Sequence, residues 1–225
     1  MKSSHQIYLV FIILLLVHVQ KGEGQHLFIL SGQSNMARMD ETQTFIPFLE
    51  NSLGTENIVV VKDAHGGQPI RQWLPPHALY DSLLQKINSK NLVVEKLKSV
   101  SFIWMQGERD AREELGTIYE QQLWSVYQRL SNDLQFDQIH FIIGRINDFD
   151  LNNDRYPHWT LIRDIQVKVG GAKPYFDWVD TDDLNDGLNH LGHDIENDLH
   201  LTPEGYRILG ERFARAALKL IGSKN

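Results

Sequence analysis

Ser34 is the residue in this sequence with the clearest capacity for covalent chemistry. It lies in the stretch from Gly32 to Met36, directly after the apolar run from Phe28 to Leu30. Small polar residues at the end of a buried strand are where open α/β sheets place their ligands. A serine hydroxyl is a poor nucleophile unless a base lies beside it. The rest of the chain must therefore supply a base, a group that orients the base, and donors for an oxyanion.

Polar clusters occur at four points in the chain, each after a predicted strand or before a predicted helix. The carboxyl ends of parallel strands share one edge of a sheet, so these clusters are expected to converge. No single cluster is decisive, because serines after strands are common and a double glycine usually marks a tight turn. The clusters are residues 32–35, Gly66 with Gly67, residues 106–108 and residues 197–200.

Apolar and amphipathic stretches alternate along the chain, as a parallel α/β sheet requires. Continuous apolar runs predict five strands, which indicates a three-layer α/β/α fold around a mostly parallel sheet of five strands. The predicted strands are His26–Ser31, Asn57–Val61, Ser99–Met105, Ile139–Ile143 and Pro174–Val179.

Two helices and one loop are also predicted around these strands. Apolar residues at helical spacing predict a helix from Tyr119 to Leu134. A final helix is predicted after Thr202, a good N-cap residue, because Pro203 suits the first helical position. Residues 152–158 are predicted to form a loop at the rim of the site.

The composition favours one globular domain that does not bind nucleic acid. The chain has 225 residues, of which 42% are hydrophobic, and a net charge of −7. Phosphate binding needs a basic face, so this charge argues against nucleic acid as a partner. The absence of cysteine excludes disulfides and thiolate metal sites. Since His190, His193, Asp194 and His200 lack the spacing of a helical metal site, we expect no metal and no other cofactor.

The first 24 residues have the pattern of a signal peptide. Lys2 precedes an apolar run from Ile7 to Val19, which is short for a membrane span. Gly22 and Gly24 are small enough to precede a cleavage site, and an uncleaved anchor is the alternative. We therefore expect residues 1–24 to be a signal peptide, residues 25–225 to form the single domain, and the protein to be secreted or periplasmic, with no stable membrane anchor.

Four stretches of the chain together resemble a known family. They are Gly-Gln-Ser-Asn-Met at 32–36, Gly-Gly-Gln-Pro-Ile at 66–70 with Trp73, Gln-Gly-Glu at 106–108, and Leu-His-Leu-Thr at 199–202. The combination resembles SGNH-type hydrolases, and among them the acetylesterases of carbohydrate esterase family 6 and the sialate O-acetylesterase-like domains. The first stretch lacks the Gly-x-Ser-x-Gly elbow because Met36 takes the last place, which argues against the ordinary α/β-hydrolase class.

The resemblance implies a catalytic role for several residues of the four stretches. Ser34 would attack an ester carbonyl, and His200 would act as the general base. The oxyanion would be bound by the Ser34 N–H, by the N–H of Gly67 in preference to Gly66, and by the side-chain amide of Gln106. The implied substrate is an acetylated carbohydrate, such as a xylan-type polysaccharide or a sialic acid.

The group that orients the base departs from the family pattern. The family usually has Asp three residues before the base histidine, and Asn197 occupies that position. An amide can hold an imidazole but cannot stabilise imidazolium by charge. Three arrangements stay open, in this order: Glu108 as the orienting acid, Asp198 as the orienting acid, or a Ser–His dyad without an acid.

Residues near the proposed site are candidates for substrate binding. Arg38 and Arg71 can bind a carboxylated sugar by bidentate pairing, although structural ion pairs are an equal alternative. Trp73 is a candidate sugar platform, whereas Trp104 is predicted to be core because it lies within a strand.

Three functions follow from these observations. The first is an exported serine esterase that removes acetyl groups from carbohydrates through an acyl-enzyme. The second, favoured by Asn197, is a non-catalytic or weakly active glycan-binding relative. The third is a lipase or thioesterase of the same broad fold, which the polar loops near Gly66 and Asn152 disfavour, because long chains need an apolar groove.

Overall fold

The computed structural model describes residues 24–222, so the predicted signal peptide, apart from Gly24, lies outside the described residues. Within the described part, no helix has the length and apolar character needed to cross a membrane. The main strands are β1 (His26–Gly32), β2 (Ile58–Ala64), β3 (Ser99–Met105), β4 (His140–Gly144) and β5 (Phe176–Val179), and a small hairpin is formed by β6 (Gly187–Leu188) and β7 (Asp194–Ile195). The helices are α1 (Ser34–Arg38), α2 (Phe45–Leu53), α3 (Leu79–Asn88), α4 (Glu108–Arg112), α5 (Gly116–Leu134), α6 (Trp159–Gly170) and α7 (Pro203–Gly222).

The five main strands form one parallel sheet in the order β2-β1-β3-β4-β5. All five were predicted from apolar runs, and the bounds of β3 agree with the prediction. β2 pairs with one side of β1, whereas β3 pairs with the other side and is followed there by β4 and β5. The strand order therefore changes direction between β1 and β3. The carboxyl ends of β1 and β3 therefore flank the crevice where sheets of this kind bind ligands.

Side chains of the strands alternate between two cores, one on each face of the sheet. In β1, Leu27 and Ile29 belong to the core beneath α3, α5 and α6. Phe28 and Leu30 face the other side and pack with α2 and α7. This period of two on a doubly buried sheet gives the predicted three-layer α/β/α architecture.

The predicted helices are also present. The helix predicted from Tyr119 begins slightly earlier, at Gly116. The last helix begins at Pro203, and the Thr202 Oγ1 accepts a hydrogen bond from the Gly205 N–H at 2.9 Å, which confirms Thr202 as the N-cap. Residues 145–158 form turns and bends without a regular element, as predicted for 152–158. The hairpin of β6 and β7 was not predicted.

Candidate active site

Ser34 lies where β1 ends and α1 begins. The N–H of Gln33 donates to the Met105 carbonyl at 2.9 Å, which ties this turn to the end of β3. A Cβ atom at Gly32 would lie 2.0 Å from the Met105 carbonyl oxygen, so only glycine allows this close approach. Because Ser34 is the first residue of α1, its N–H has no acceptor within the helix and stays available to a ligand.

His200 lies beside Ser34, although 166 residues separate the two in the chain. The Nε2 of His200 is 3.3 Å from the Ser34 Oγ, within hydrogen-bond distance. Both residues open into a cavity of about 320 Å³, which we call the Ser34 cavity. Its lining residues are Gln33, Ser34, Gly66, Gly67, Glu108, Arg109, Arg112, Tyr156, Leu199 and His200.

Asp198 supports the main chain of His200 and does not orient its ring. The Asp198 Oδ1 accepts a hydrogen bond from the His200 backbone N–H at 2.8 Å. Its carbonyl oxygen accepts hydrogen bonds from the side-chain amides of Asn147 and Asn185. Asp198 thus fixes the turn that carries His200 toward Ser34.

The structure gives no direct orienting acid for the imidazole. Among residues 24–222, none is hydrogen-bonded to the Nδ1 of His200. The Oε1 of Glu108 instead accepts a hydrogen bond from the Asn35 Nδ2 at 2.8 Å, so the preferred prediction for Glu108 is wrong. With its amide oriented to donate, Asn197 places its nitrogen 3.1 and 3.2 Å from the Asp148 carboxylate oxygens. Of the three arrangements that the sequence leaves open, the hydrogen bonds among residues 24–222 match the Ser34–His200 pair without an acid.

Glu108 is a buried carboxyl group with an incomplete set of partners. It lies in the first turn of α4, and its Oε2 has no hydrogen-bond partner among the described residues. Burial, as the largest cause, raises the pKa of Glu108 to about 7, although the hydrogen bond from Asn35 opposes the increase. Asn35 also donates to the Leu199 carbonyl at 3.2 Å, so it links Glu108 to the residue before His200.

His200 is held in a state suited to accepting a proton. Burial, followed by the positive charge of Arg38, lowers the pKa of His200 below its ordinary value of 6.5, while Asp198 opposes this decrease. The imidazole therefore stays neutral to lower pH than a free histidine, as a general base requires.

The predicted oxyanion donors divide into two groups. Gly66 lies beside Ser34, since a Cβ atom on it would be 3.7 Å from the Ser34 Cβ. Gly67, at φ 69°, also lines the cavity and faces open space. Gln106 is fully buried, and its Nε2 donates to Asp110, to the Gln68 carbonyl at 3.1 Å and to Gln33 at 3.3 Å. These acceptors join Gln106 to the loop that carries Gly66 and Gly67, which disfavours Gln106 as an oxyanion donor, and the role of each predicted donor stays a prediction.

The three predicted substrate-binding residues have different surroundings. Trp73 is fully buried and its Nε1 donates to the Ser31 Oγ at 3.1 Å, so the prediction that it stacks on a sugar is wrong. Arg71 forms an ion pair with Glu113 at 2.8 Å, which matches the structural alternative, and it does not line the Ser34 cavity. Arg38 is exposed at the end of α1 and lines a second cavity with Asp40 and Tyr206. Substrate binding by Arg38 and Arg71 stays a prediction.

Several residues that build the site have no role predicted from the sequence. Asn35 joins three elements, because its Oδ1 also accepts a hydrogen bond from the Tyr206 hydroxyl of α7 at 2.9 Å. Its position directly after Ser34 was the only available signal. Tyr156 comes from the predicted rim loop, and Arg112 lies one helical turn after Glu108. Among the described residues, no group of three His, Asp or Glu side chains is arranged to hold a metal ion.

The sequence comparison decides the family. The sequence model described as "Carbohydrate esterase, sialic acid-specific acetylesterase" matches residues 39–219, well over half of the chain. The chain belongs to this carbohydrate esterase family. The match begins five residues after Ser34, so the assignment does not depend on the proposed nucleophile. No curated protein matches this carbohydrate esterase.

Solved structures share the fold of this carbohydrate esterase. A protein from Arabidopsis thaliana is 21% identical, with a TM-score of 0.66 over 87% of this chain and 98% of that one. A carbohydrate acetylesterase from Xanthomonas citri is 18% identical, with a TM-score of 0.64 over 88% of this chain and 56% of that one. A lipolytic protein of the G-D-S-L family from Veillonella parvula is 16% identical, with a TM-score of 0.51 over 88% of this chain and all of that one. The chain thus shares its three-layer α/β/α fold with these proteins.

Proposed function

We propose that the protein is a serine esterase that removes O-acetyl groups from a carbohydrate through an acyl-enzyme intermediate. The observation that carries the proposal is the 3.3 Å separation of the Ser34 Oγ and the His200 Nε2. The pair lies at the carboxyl end of β1, in a cavity that has room for an ester. Membership of a carbohydrate esterase family supports acetyl removal from a sugar.

The first half of the proposed reaction acetylates Ser34. The Nε2 of His200 takes the hydroxyl proton as the Ser34 Oγ attacks the acetyl carbonyl carbon. The resulting oxyanion is bound by the Ser34 N–H at the start of α1 and by the Gly67 N–H. The intermediate then breaks its bond to the sugar oxygen, and His200 returns the proton to that oxygen. The sugar leaves as an alcohol.

The second half repeats the same steps with water. His200 removes a proton from a water molecule, whose oxygen attacks the acetyl-Ser34 carbonyl. Collapse of the second intermediate breaks the bond to the Ser34 Oγ, which recovers its proton from His200. Acetic acid leaves with the second proton of the water and ionises to acetate in solution, and both residues return to their starting states.

The experiment is an acetate-release assay with purified protein. Acetylated xylan, O-acetylated sialic acid and 4-nitrophenyl acetate serve as substrates. We expect Ser34→Ala and His200→Ala to lower kcat by about a thousandfold or more. Ser52→Ala is the matched control, since the Ser52 hydroxyl only donates to the Phe48 carbonyl on α2. Mass spectrometry should also detect wild-type protein carrying one acetyl group on Ser34. Absence of turnover on all three substrates would contradict the proposal.

The second candidate is a glycan-binding relative with little or no turnover. It is favoured by the lack of a described hydrogen-bond partner for the His200 Nδ1, because imidazolium formation is then less stabilised. Binding of acetylated sugars without acetate release, unchanged in Ser34→Ala, would support this candidate over the esterase.

We further propose that the protein is exported and acts outside the cytoplasm of the cell that makes it. The support is the Lys2 and apolar run at the start of the sequence. The mature protein recovered from cells should begin at Gln25, as determined by N-terminal sequencing. Recovery of the intact chain from the cytoplasm would contradict export.

A further inference from the structure

The loop that carries Gly66 and Gly67 lies beside Ser34 without belonging to a strand or a helix. We call residues 65–69 the glycine loop; it joins β2 to a short helical turn that begins at Ile70. The start of the loop is tied to β1, because the N–H of residue 65 donates to the Gly32 carbonyl at 2.9 Å. The place of the Gly67 N–H therefore depends on what holds the other end.

Asp110 holds that other end. Its Oδ2 accepts a hydrogen bond from the Ile70 N–H at 2.9 Å. The same oxygen accepts a hydrogen bond from the Gln106 Nε2, and this nitrogen also donates to the Gln68 carbonyl at 3.1 Å. One carboxylate oxygen thus binds the end of the glycine loop directly and its middle through Gln106.

Gln106 links the same carboxylate to the nucleophile. Its Nε2 lies 3.3 Å from the Gln33 Oε1, which also accepts a hydrogen bond from the Arg109 N–H at 3.2 Å. Gln33 directly precedes Ser34. The pair of Asp110 and Gln106 therefore connects the two segments whose N–H groups are proposed to bind the oxyanion.

The neighbours of this pair hold it in place. The Gln106 carbonyl accepts hydrogen bonds from the Tyr119 hydroxyl and the Gln166 Nε2, both at 2.7 Å. The Asp110 carbonyl accepts a hydrogen bond from the Leu115 N–H at 2.9 Å. Both Asp110 and Gln106 are fully buried. Supporting side chains that are fixed in this way can position a reactive group precisely.

The burial of Asp110 is unfavourable for folding. Its Oδ1 has no hydrogen-bond partner among residues 24–222. Burial, as the largest cause, raises the pKa of Asp110 to about 6, although the hydrogen bonds from Gln106 and Ile70 oppose the increase. A buried carboxyl group with an unpaired oxygen calls for an explanation in function.

We propose that Asp110 is a positioning residue, whose Oδ2 fixes the Gly67 N–H and the Ser34 N–H at the spacing that an oxyanion needs. Asp110 acts through Ile70 and Gln106 and does not line the Ser34 cavity. The proposal rests on the proposed esterase function, because this spacing matters to the reaction when an oxyanion forms between the two N–H groups.

The first test measures kcat and KM on 4-nitrophenyl acetate at pH 8, where the Asp110 carboxyl is ionised. Asp110→Ala removes both hydrogen bonds, and we expect kcat to fall about 100-fold or more because a displaced donor no longer meets the oxyanion. KM should stay within about threefold, since the oxyanion forms after the ester has bound. Asp110→Asn keeps an oxygen acceptor without its charge, so its loss in kcat should be only about three- to tenfold.

Tyr127→Phe is the matched control. It also removes a buried hydrogen bond, from the Tyr127 hydroxyl to the Ile139 carbonyl at 3.2 Å. Ile139 precedes β4 at the amino edge of the sheet, opposite the edge that carries Ser34, so kcat should be unchanged. The proposal would be overturned by wild-type kcat in both Asp110 variants, by a loss that appears in KM, or by equal losses in Asp110→Asn and Asp110→Ala.

The second test needs no turnover and separates this proposal from the esterase function. Amide hydrogen exchange is followed by mass spectrometry in a peptide that covers residues 65–72. Exchange there should be faster in Asp110→Asn than in the wild type or Tyr127→Phe, and the increase should exceed that in α7. Asp110→Asn keeps the shape of the side chain, so it decides the outcome if Asp110→Ala does not fold.

The two tests together distinguish two failures. Faster exchange in an otherwise inactive protein would contradict the esterase function and support the hold of Asp110 on the glycine loop. Unchanged exchange in this peptide would overturn the role of Asp110, whatever the activity.

Discussion

The imidazole of His200 is subject to three competing influences. Burial and the charge of Arg38 both favour the neutral form, while the carboxylate of Asp198 favours the protonated form. The balance lowers the pKa of His200. At weakly acidic pH, the neutral fraction of His200 is therefore larger than the neutral fraction of a free histidine.

Changing the charges around His200 should move the pH profile of kcat/KM. On 4-nitrophenyl acetate, we expect the acid limb of the wild-type profile to lie below pH 6.5, the ordinary value for histidine. Arg38→Gln should move this limb to higher pH, because it removes a cation that disfavours imidazolium. Asp198→Asn should move it to lower pH and keep the hydrogen bond to the His200 N–H. Shifts in the opposite directions would contradict the assignment of His200 as the base.

Asn197→Asp is expected not to create a catalytic triad. The side chain at 197 faces Asp148 and not His200, so a new carboxylate would lie against an existing one. We expect no gain in kcat and a loss of less than about 1 kcal/mol in the free energy of unfolding, since the pair is partly exposed. Urea unfolding and acetate release measure both effects. Adding Asp148→Asn to the Asn197→Asp variant should restore the free energy of unfolding. A large gain in kcat for Asn197→Asp alone would contradict this geometry.

At the scale of elements, the start of α7 and the loop before it determine where His200 lies. The Thr202 N–H donates to the Leu184 carbonyl at 3.0 Å, and its side chain caps the helix. Gly205 packs against the same carbonyl, and a Cβ atom there would lie 2.0 Å from the Leu184 oxygen. The loop from Leu184 to His200 is thus closed onto the first turn of α7.

Gly205→Ala should displace this closed loop and with it the base. The added methyl group meets backbone that cannot rotate away, so we expect a loss of about 1–3 kcal/mol in the free energy of unfolding and a lower kcat. Gly171→Ala is the control, because a Cβ atom there has only ordinary contacts from 3.5 Å. Thermal unfolding and 4-nitrophenyl acetate kinetics test both variants. Equal stability and equal kcat of Gly205→Ala and Gly171→Ala would contradict the importance of the close contact between Gly205 and the Leu184 carbonyl.

At the scale of the whole molecule, the buried carboxyl of Glu108 links folding to pH. In the unfolded chain this group titrates near 4.5, whereas in the fold its pKa is raised to about 7. Between these values the unfolded chain loses the proton and the folded protein keeps it. Stability from this group is therefore fully present below pH 4.5 and decreases as the pH rises to 7.

Urea unfolding at several pH values should detect this linkage. For Glu108, we expect the free energy of unfolding to fall by up to about 3 kcal/mol between pH 4.5 and 7. The difference between wild type and Glu108→Gln isolates this contribution, since the variant cannot titrate there. Glu95→Gln, at an exposed position, should follow the wild-type curve. A difference between wild type and Glu108→Gln that stays constant with pH would contradict the raised pKa.

Much of the fold could be predicted because the strands are buried on both faces. A run such as Ser99–Met105 has no polar face to interrupt it, so its bounds are visible in the sequence. The cap at Thr202 is similarly local. The hairpin of β6 and β7 escaped prediction because each strand has only two residues, too few to show a period.

The interior of the site could not be predicted in the same way. Gln106, Glu108 and Asp110 all follow β3, and the sequence does not reveal which acceptors and donors compete for them. In the fold, the Gln106 amide donates hydrogen bonds to Asp110 and to the Gln68 carbonyl. The Glu108 carboxyl accepts a hydrogen bond from the Asn35 amide. Trp73 was misassigned for a related reason, because a buried partner for its indole N–H, Ser31, lies 42 residues away.

The short helix α1 connects the proposed nucleophile to a positive charge that acts on the proposed base. Ser34 and Arg38 are its first and last residues, so one turn of backbone separates them. The Cβ atoms of side chains four residues apart on a helix are about 5–6 Å from each other. Because the charge of Arg38 also disfavours the protonated form of His200, this single turn couples the place of the hydroxyl to the charge balance of the imidazole. A substitution that unwinds α1 should therefore disturb both at once.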